Sequence, residues 1–181
     1  YLIGLLFRTR RRILPRTLMP ACTSLLAWGD ATADGKLLHG RNLEFFGVGH
    51  WDAHPAAIFF EPEQGIPFVS ITTAGVGTGG ITSMNAAGLT LALNVKVTRD
   101  IAAEGTPMIW IGNEIARRAE TIADAVKVAS EYHPACGFSL TLGESKHPGA
   151  AVIEFAAGKQ RVRHAKDRTL VMANHYMDPE M

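Results

Sequence analysis

Apolar and polar positions alternate in short runs along most of the chain from Thr23 onward. This period of two is typical of strands with one buried face. Six such runs come first, at 23–28, 36–42, 56–61, 67–73, 80–85 and 89–95. Turn-forming stretches separate them in pairs, namely "GDATADG", "PEQGI" and "AAG". The pattern therefore predicts three consecutive hairpins.

The period changes in the middle of the chain. In 107–119, apolar residues fall at positions 108, 109, 111, 115, 116 and 119, which matches helical spacing. A second helix is predicted over 122–132, with Thr121 as N-cap and Asp124 completing a short capping box. Strand-like runs return at 138–144, 150–156, 160–165 and 169–176. Six strands, two helices and four strands indicate an α+β protein in which antiparallel sheets pack face to face with helices.

Composition is that of one globular domain. The chain has 181 residues, of which 47% are hydrophobic and 19% charged, and its formal net charge is +1. A net charge this close to zero does not indicate a nucleic acid partner. No apolar run reaches the roughly 20 residues that a membrane-spanning helix needs. With two cysteines and no signal-peptide pattern, we expect a reducing, cytoplasmic location.

Positive charge is concentrated near the start of the sequence. Five arginines lie within a single short segment, at positions 8, 10, 11, 12 and 16. Such a segment is either a solvated arm or a contact for phosphates or anionic lipid.

Cys22 follows this segment and begins the first strand-like run. If the first hairpin turns near Thr32, paired residue numbers sum to about 63, and Cys22 lies opposite Arg41. A nearby guanidinium favours the thiolate form of a cysteine. Glu44, three residues further on, could orient that arginine. The residues alone leave two interpretations open: a nucleophile beside a cation, or a buried thiol next to an ordinary ion pair at a strand edge.

Three stretches together resemble a known superfamily. They are "CTSLLAWGDATADGKLLHGRNLEF", "GLTLALN" and "MANHY", and the resemblance covers roughly residues 22 to 181. The chain is similar to the cysteine N-terminal-nucleophile (Ntn) hydrolases, which include penicillin V acylase, bile salt hydrolase and acid ceramidase. It is most similar to the acyl-coenzyme A:6-aminopenicillanate acyltransferase branch. The resemblance implies a four-layered αββα sandwich, which we expect to be incomplete at the C-terminus.

The resemblance also implies that the protein processes itself. Residues 1–21 would be a propeptide-like segment, and residues 22–181 the Ntn-hydrolase domain. The thiol of Cys22 would attack the Ala21–Cys22 bond, and cleavage would leave Cys22 with a free α-amine. Because an α-amine has an ordinary pKa near 7.7–8.0, it can act as the base for its own thiol. Ala21 stands where relatives often have glycine.

Four further residues match site positions of these hydrolases. Arg41 matches the arginine that contacts nucleophile and substrate. Glu44 stands where relatives usually have an aspartate, and its extra methylene moves the carboxylate. Asn94 and Asn174 match the two asparagines that bind the oxyanion. A contribution of about 3–4 kcal/mol is typical of one such donor.

Other motifs indicate little chemistry. "GVGTGG" at 75–80 lacks the helix and lysine of a phosphate-binding loop. We interpret it as a loop in the pocket wall that allows the substrate to approach closely. His50, Asp52 and His54 are read as a loop at the site entrance. Cys136 is interpreted as a buried thiol. We expect neither metal nor cofactor.

The sequence thus predicts a cysteine amidohydrolase or acyltransferase that acts on a small-molecule acyl amide through a thioester. Two alternatives stay open: a non-catalytic homologue that binds an acyl amide or lipid-like ligand, and an esterase that uses the same cysteine. The sequence does not determine the oligomeric state, and a homo-oligomer is one of the states left open.

Overall fold

A computed structural model describes residues 21–44, 49 and 51–181. The predicted propeptide-like segment, with its arginines, and His50 lie outside these residues, except for Ala21. The described elements are, in chain order, β1 (Ala21–Gly29), β2 (Gly35–Glu44), β3 (Pro55–Phe60), β4 (Phe68–Thr73), β5 (Thr82–Asn85), β6 (Leu89–Val95), α1 (Met108–Arg118), α2 (Ile122–Ser130), β7 (Phe138–Glu144), β8 (Gly149–Ala156), β9 (Lys159–His164) and β10 (Thr169–Met172).

These elements form two antiparallel sheets, which confirms the predicted α+β class. The small sheet has the order β10-β1-β2, and the large sheet runs from β3 to β9 in sequence order. The three predicted hairpins are present as β1–β2, β3–β4 and β5–β6. The small sheet is the exception to nearest-neighbour pairing, because β10 returns from the end of the described chain to pair with β1.

Helices α1 and α2 cover one face of the large sheet. Alternate residues of its central strands, including Leu91, Leu140 and Ile153, point toward the helices and are almost fully buried. Helix α2 begins as predicted, because Thr121 accepts a hydrogen bond from the Asp124 backbone and Asp124 caps the Thr121 backbone in return.

The space between the two sheets has an apolar end and a polar end. Leu26, Trp28, Val152, Leu170 and Met172 form the apolar end. The polar end is built from buried Ser24, Asn94, Lys96, Ser139, Thr141 and Glu154. Because strand side chains alternate between faces, the same strands supply apolar residues to the helices and polar residues to this inner space. Cys22 lies at the polar end.

Three of the four layers predicted from the family are present in the described chain: helices, large sheet and small sheet. Within residues 21–44, 49 and 51–181, no helix covers the outer face of the small sheet. Leu25, Leu38 and Val171 are exposed on that face. Neither described helix is long and apolar enough to cross a membrane.

The predicted register of the first hairpin is wrong by two residues. Cys22 pairs with Leu43, and Arg41 pairs with Ser24. The Gly29–Gly35 pair centres the loop at Thr32, as the sequence suggested, and an irregularity between Ala27 and Gly29 then shifts the pairing by one residue, which accounts for one of the two. Since an error of two preserves the alternation of faces, Arg41 still lies on the same inward face as Cys22.

Candidate active site

Cys22 is the second residue of β1. Its side chain points between the sheets and is 1% exposed. On one side lies β2 with Arg41, and on the other lies the segment that follows β10. The thiol therefore lies at the point where the small sheet meets the polar end of the space between the sheets.

Arg41 connects the two sheets beside this thiol. Its Nη2 lies 3.8 Å from Sγ of Cys22. The same Nη2 donates to the backbone oxygen of Leu93, and Nη1 donates to the hydroxyl of Thr82. Burial lowers the pKa of Arg41 from its ordinary value, yet an arginine stays protonated at neutral pH. The guanidinium is thus a fixed positive group next to the sulfur.

His39 lies next to Arg41 on the inward face of β2. Its Nδ1 lies 2.8 Å from the hydroxyl of Thr90. Burial, assisted by the charge of Arg41, lowers the pKa of His39 to about 4. The imidazole is therefore neutral near pH 7, and it adds no second positive charge beside Arg41.

Asn174 contacts the backbone of Cys22 from the opposite side. Its Oδ1 accepts a hydrogen bond of 2.5 Å from the Cys22 nitrogen, and its Nδ2 donates to the backbone oxygen of Val95 at 2.7 Å. Both ends of the amide are therefore engaged. In this arrangement Asn174 orients the nitrogen of Cys22, and its Nδ2 carries a second hydrogen besides the one donated to Val95.

Asn94 lies deeper between the sheets. Its Oδ1 accepts hydrogen bonds from Ser24 at 3.1 Å and from Thr141 at 3.4 Å. Within the described chain, its buried Nδ2 has no hydrogen-bond partner. The structure places Asn94 beside Ser24, the next inward residue of β1 after Cys22, and leaves it an unused donor.

Glu44 is not brought together with these residues. It pairs with Ala21 and is exposed. Residues three apart on a strand point to opposite faces, so Glu44 cannot share the inward face of Arg41. Among the described residues, its carboxylate makes no hydrogen bond or ion pair.

Two buried charges near the site were missed by the sequence analysis. Lys96 follows directly after β6, and Glu154 lies in β8; their side chains are fully buried and 3.9 Å apart. Glu154 occupies an inward position of an apolar strand, and Lys96 continues the inward positions of β6 one residue beyond its end; a charged residue is unusual at such positions. A charged residue in register with the buried positions of an apolar run was the signal that the sequence offered for this pair.

A small cavity of about 290 Å³ opens beside Arg41. Its wall includes Val69, Ile71 and Met84 together with His39. A larger cleft of about 1210 Å³ lies near Trp28, Val162 and Arg168, and its walls include neither Cys22 nor Arg41. The small cavity is lined by Arg41, which contacts Cys22, but Cys22 itself is not part of its wall.

Other sequence motifs lie apart from this cluster. Gly79 and Gly80 of "GVGTGG" approach protein atoms rather than open space: Gly79 faces the ring of Phe68, and Gly80 faces the backbone of Ile109. Cys136 is half-buried, and burial raises the pKa of its thiol. No group of three or more potential metal ligands occurs in the described part of the chain.

Comparison with known proteins adds a family and a fold. Residues 50–181 match the sequence profile of the family described as acyl-coenzyme A:6-aminopenicillanic acid acyl-transferase. The match contains Asn94 and Asn174 but begins after Cys22, Arg41 and Glu44. An uncharacterized protein of Archaeoglobus fulgidus is 27% identical over 186 residues, covering 89% of this chain and 30% of that protein.

Two solved structures share the fold. Penicillin V acylase from Agrobacterium tumefaciens has a TM-score of 0.57 at 16% identity, with 82% of this chain and 51% of that chain covered. A variant of conjugated bile acid hydrolase from Clostridium perfringens has a TM-score of 0.62 at 14% identity, with 88% and 54% covered. The chain thus spans about half the length of either structure.

Proposed function

Because the chain belongs to the acyl-coenzyme A:6-aminopenicillanic acid acyl-transferase family, we propose that it is an autoprocessing cysteine amidohydrolase or acyltransferase. Its substrate is a small-molecule acyl amide, and its nucleophile is Cys22. The observation that most supports this proposal is the pair of contacts at one residue. Arg41 lies 3.8 Å from the sulfur of Cys22, and Asn174 accepts from its nitrogen at 2.5 Å.

Processing would begin with attack of the Cys22 sulfur on the carbonyl carbon of Ala21. The Ala21–Cys22 C–N bond breaks, the nitrogen takes up a proton, and the Ala21 acyl group is transferred to sulfur as a thioester. Water then hydrolyses this thioester to a carboxylate and a free thiol. The hydrogen bond to Asn174 would hold the nitrogen in place as it changes from an amide to an amine.

Catalysis would then use both functional groups of Cys22. The α-amine accepts the thiol proton, and the sulfur attacks the substrate carbonyl. Collapse of the tetrahedral intermediate breaks the C–N bond, and the ammonium returns the proton to the leaving amine. Water completes hydrolysis of the resulting thioester, or an acceptor amine completes acyl transfer.

The oxyanion is assigned to the two asparagines. Asn94 provides the unused amide donor, and Asn174 lies next to the Cys22 nitrogen. A donor aimed at the developing charge is worth about 3–4 kcal/mol in enzymes of this type. Arg41 would contact the nucleophile; Glu44 pairs with Ala21 next to the cleaved bond but faces away from Arg41, so it would influence that bond through its charge and not through contact with the sulfur.

The cavity beside Arg41 suits an apolar acyl group. Val69, Ile71 and Met84 offer it aliphatic surface, and Arg41 lies in the same wall. Burying an aliphatic group on such surface favours binding by about 25 cal/mol per Å². We therefore assign the acyl part of the amide to this cavity.

The first test is the N-terminus of the protein after expression with residues 1–21 attached. Intact mass and N-terminal sequencing are expected to show a chain beginning at Cys22 for the wild type and for Cys136→Ala. The Cys22→Ala variant is expected to stay uncleaved. Cys136→Ala is the matched control, because it removes the other thiol of the sequence.

Matched acyl p-nitroanilides and p-nitrophenyl esters then distinguish amide from ester chemistry. A processed protein that accumulates a mass adduct of the acyl group on Cys22 supports the thioester. A wild type that stays uncleaved has no free amine at Cys22 and overturns the proposal, which leaves a ligand-binding homologue. Turnover of esters with no turnover of amides would favour the esterase.

A further inference from the structure

The segment after β10 bears Asn174 but has no regular secondary structure. Residues 173–178 follow the last described strand, and their backbone groups are not paired in either sheet. A segment of this kind needs other partners to fix its position. Those partners are side chains of the large sheet.

Lys96 binds this segment on both sides of Asn174. Its Nζ donates to the backbone oxygen of Ala173 at 2.9 Å and to that of His175 at 2.6 Å. The ring of Tyr176 lies 5.8 Å from the same Nζ. One ammonium group thereby binds the carbonyl oxygens of the two residues on either side of Asn174.

Glu154 continues this arrangement along the segment. Its Oε1 accepts from the backbone nitrogen of Met177, and its Oε2 accepts from that of Asp178, both at 2.9 Å. Oε1 also lies 3.9 Å from Nζ of Lys96, and both side chains are fully buried. The carboxylate and the ammonium therefore neutralise each other while each binds backbone groups of the segment.

Burying two charges is costly, and an apolar pair of similar size would often give equal or greater stability. Burial lowers the pKa of Lys96 to about 8, which agrees with this cost and still leaves the amine largely protonated at pH 7. A specific role of the Lys96–Glu154 pair would explain its presence better than a contribution to the stability of the protein.

We propose that Lys96 and Glu154 are positioning residues, which hold residues 173–178 so that Asn174 is aligned with the nitrogen of Cys22. The catalytic part of this inference rests on the proposed function, but the alignment itself does not. The pair acts through Asn174, because no hydrogen bond joins either side chain to Cys22 in the described part of the chain.

The test that does not depend on activity is hydrogen exchange at the amide of position 22. In the uncleavable Cys22→Ala background, this amide keeps Asn174 as its acceptor. Adding Lys96→Met is expected to speed its exchange by about tenfold or more, while the amide of Leu142 in the sheet centre is unchanged. Unchanged exchange at position 22 overturns the proposal.

Removing one charge can unfold the protein, because it leaves the other charge buried without a partner. The double variant Lys96→Met/Glu154→Gln removes both charges and is measured in parallel. Lys96→Arg keeps a buried cation that can donate to both carbonyls, and it is expected to restore slow exchange. Equally fast exchange in Lys96→Arg and Lys96→Met would contradict the proposal.

The second measurement is the rate of processing and of acyl transfer in the wild-type background. Lys96→Met is expected to lower the processing rate and kcat by about tenfold with KM changed less than about twofold. The matched control is Glu114→Gln, which removes an ion pair with Arg117 on α1, outside the space between the sheets. A loss in Glu114→Gln as large as that in Lys96→Met would contradict the proposal. If the wild type is inactive but exchange at position 22 responds to Lys96, the alignment stands and the proposed function fails.

Discussion

At the residue scale, Cys22 is contacted by the guanidinium of Arg41 at its sulfur and by the amide side chain of Asn174 at its nitrogen. Arg41 is held by Thr82 and by the Leu93 carbonyl, so its position does not depend on the thiol. Asn174 is held in the same way by the Val95 carbonyl. Each contact to Cys22 therefore comes from a side chain that is already fixed elsewhere, which is the preorganisation that a reactive site requires.

Arg41→Gln is expected to slow the alkylation of Cys22 by iodoacetamide. The change removes the positive charge that lies 3.8 Å from the sulfur and that stabilises negative charge on the sulfur as it attacks. We expect a rate about tenfold lower, measured by intact mass in a Cys136→Ala background. Arg117→Gln on α1 serves as the control and should alkylate at the parental rate. Equal rates in Arg41→Gln and the parent would show that the guanidinium does not activate the thiol.

His39 is expected to make stability depend on pH. Its pKa is about 4 in the folded protein, against an ordinary value of 6.5. Below 6.5 the unfolded chain takes up a proton at this residue and the folded chain does not, so stability falls as pH falls from 6.5 toward 4. The loss from this residue is at most about 3 kcal/mol.

The measurement is the free energy of unfolding in urea across that pH range. Carboxylates and other histidines contribute as well, so the difference between wild type and His39→Gln isolates this residue. The variant should lose less stability on acidification than the wild type. Parallel curves for the two proteins would show that His39 titrates normally in the folded state.

At the element scale, α1 packs on the large sheet through glycines. Gly112 of the helix faces Gly80 of the loop before β5, and a Cβ at Gly112 would lie 2.6 Å from the Gly80 oxygen. Gly79 donates its backbone N–H to Asn113 of the same helix at 3.1 Å. Gly80 thus permits close packing of α1 on this loop, because a side chain there would meet the helix backbone.

Gly80→Ala is expected to destabilise the protein by about 1–3 kcal/mol, because the added methyl group would overlap the backbone oxygen of Ile109. Gly77→Ala in the same loop is the matched control, since its Cβ would meet no atom within 4 Å. We expect the control to change stability by less than about 0.5 kcal/mol. Urea unfolding of both variants gives the comparison, and a neutral Gly80→Ala would contradict the close packing.

At the scale of the whole molecule, the site depends on how the two sheets pack. Leu26 of the small sheet is fully buried against Gly143 of the large sheet. A Cβ at Gly143 would lie 2.6 Å from Cδ2 of Leu26 and 2.8 Å from Cδ2 of Leu37. This contact sets the separation of the sheets at the apolar end, and Cys22 lies further along the same strand as Leu26.

Leu26→Ala is expected to cost about 2–5 kcal/mol through the cavity it leaves. Gly143→Ala should cost about 1–3 kcal/mol because the extra methyl group pushes against Leu26. In the double variant the shortened side chain at position 26 leaves room for the new methyl group. The loss of stability in the double variant should therefore be smaller than the sum of the losses in the two single variants. Chemical denaturation of all four proteins measures this coupling. Strictly additive costs would show that the two residues do not share one contact.

Much of the secondary structure could be predicted from the chain itself. The period of two located the hairpins, the helical spacing of apolar residues located α1, and Thr121 with Asp124 marked the start of α2. These features depend on neighbours a few residues apart. The register of β1 with β2 could not be predicted to the residue, because an irregularity between Ala27 and Gly29 changes the count.

The sequence by itself determined which strands form and that Cys22 and Arg41 share a face, since alternation survives an error of two in register. Only the tertiary structure decided which residues meet Cys22 from far along the chain. Asn174 is 152 residues away, and it reaches the Cys22 nitrogen because β10 pairs with β1 and Lys96 holds the segment beyond it. Strand alternation, by contrast, is enough to point Glu44 away from Arg41, because β2 extends to Glu44. Local conformational preferences depend on residues a few positions apart. The contacts between Cys22 and residues far along the chain depend instead on how the two sheets pack, and packing is a property of the folded chain as a whole.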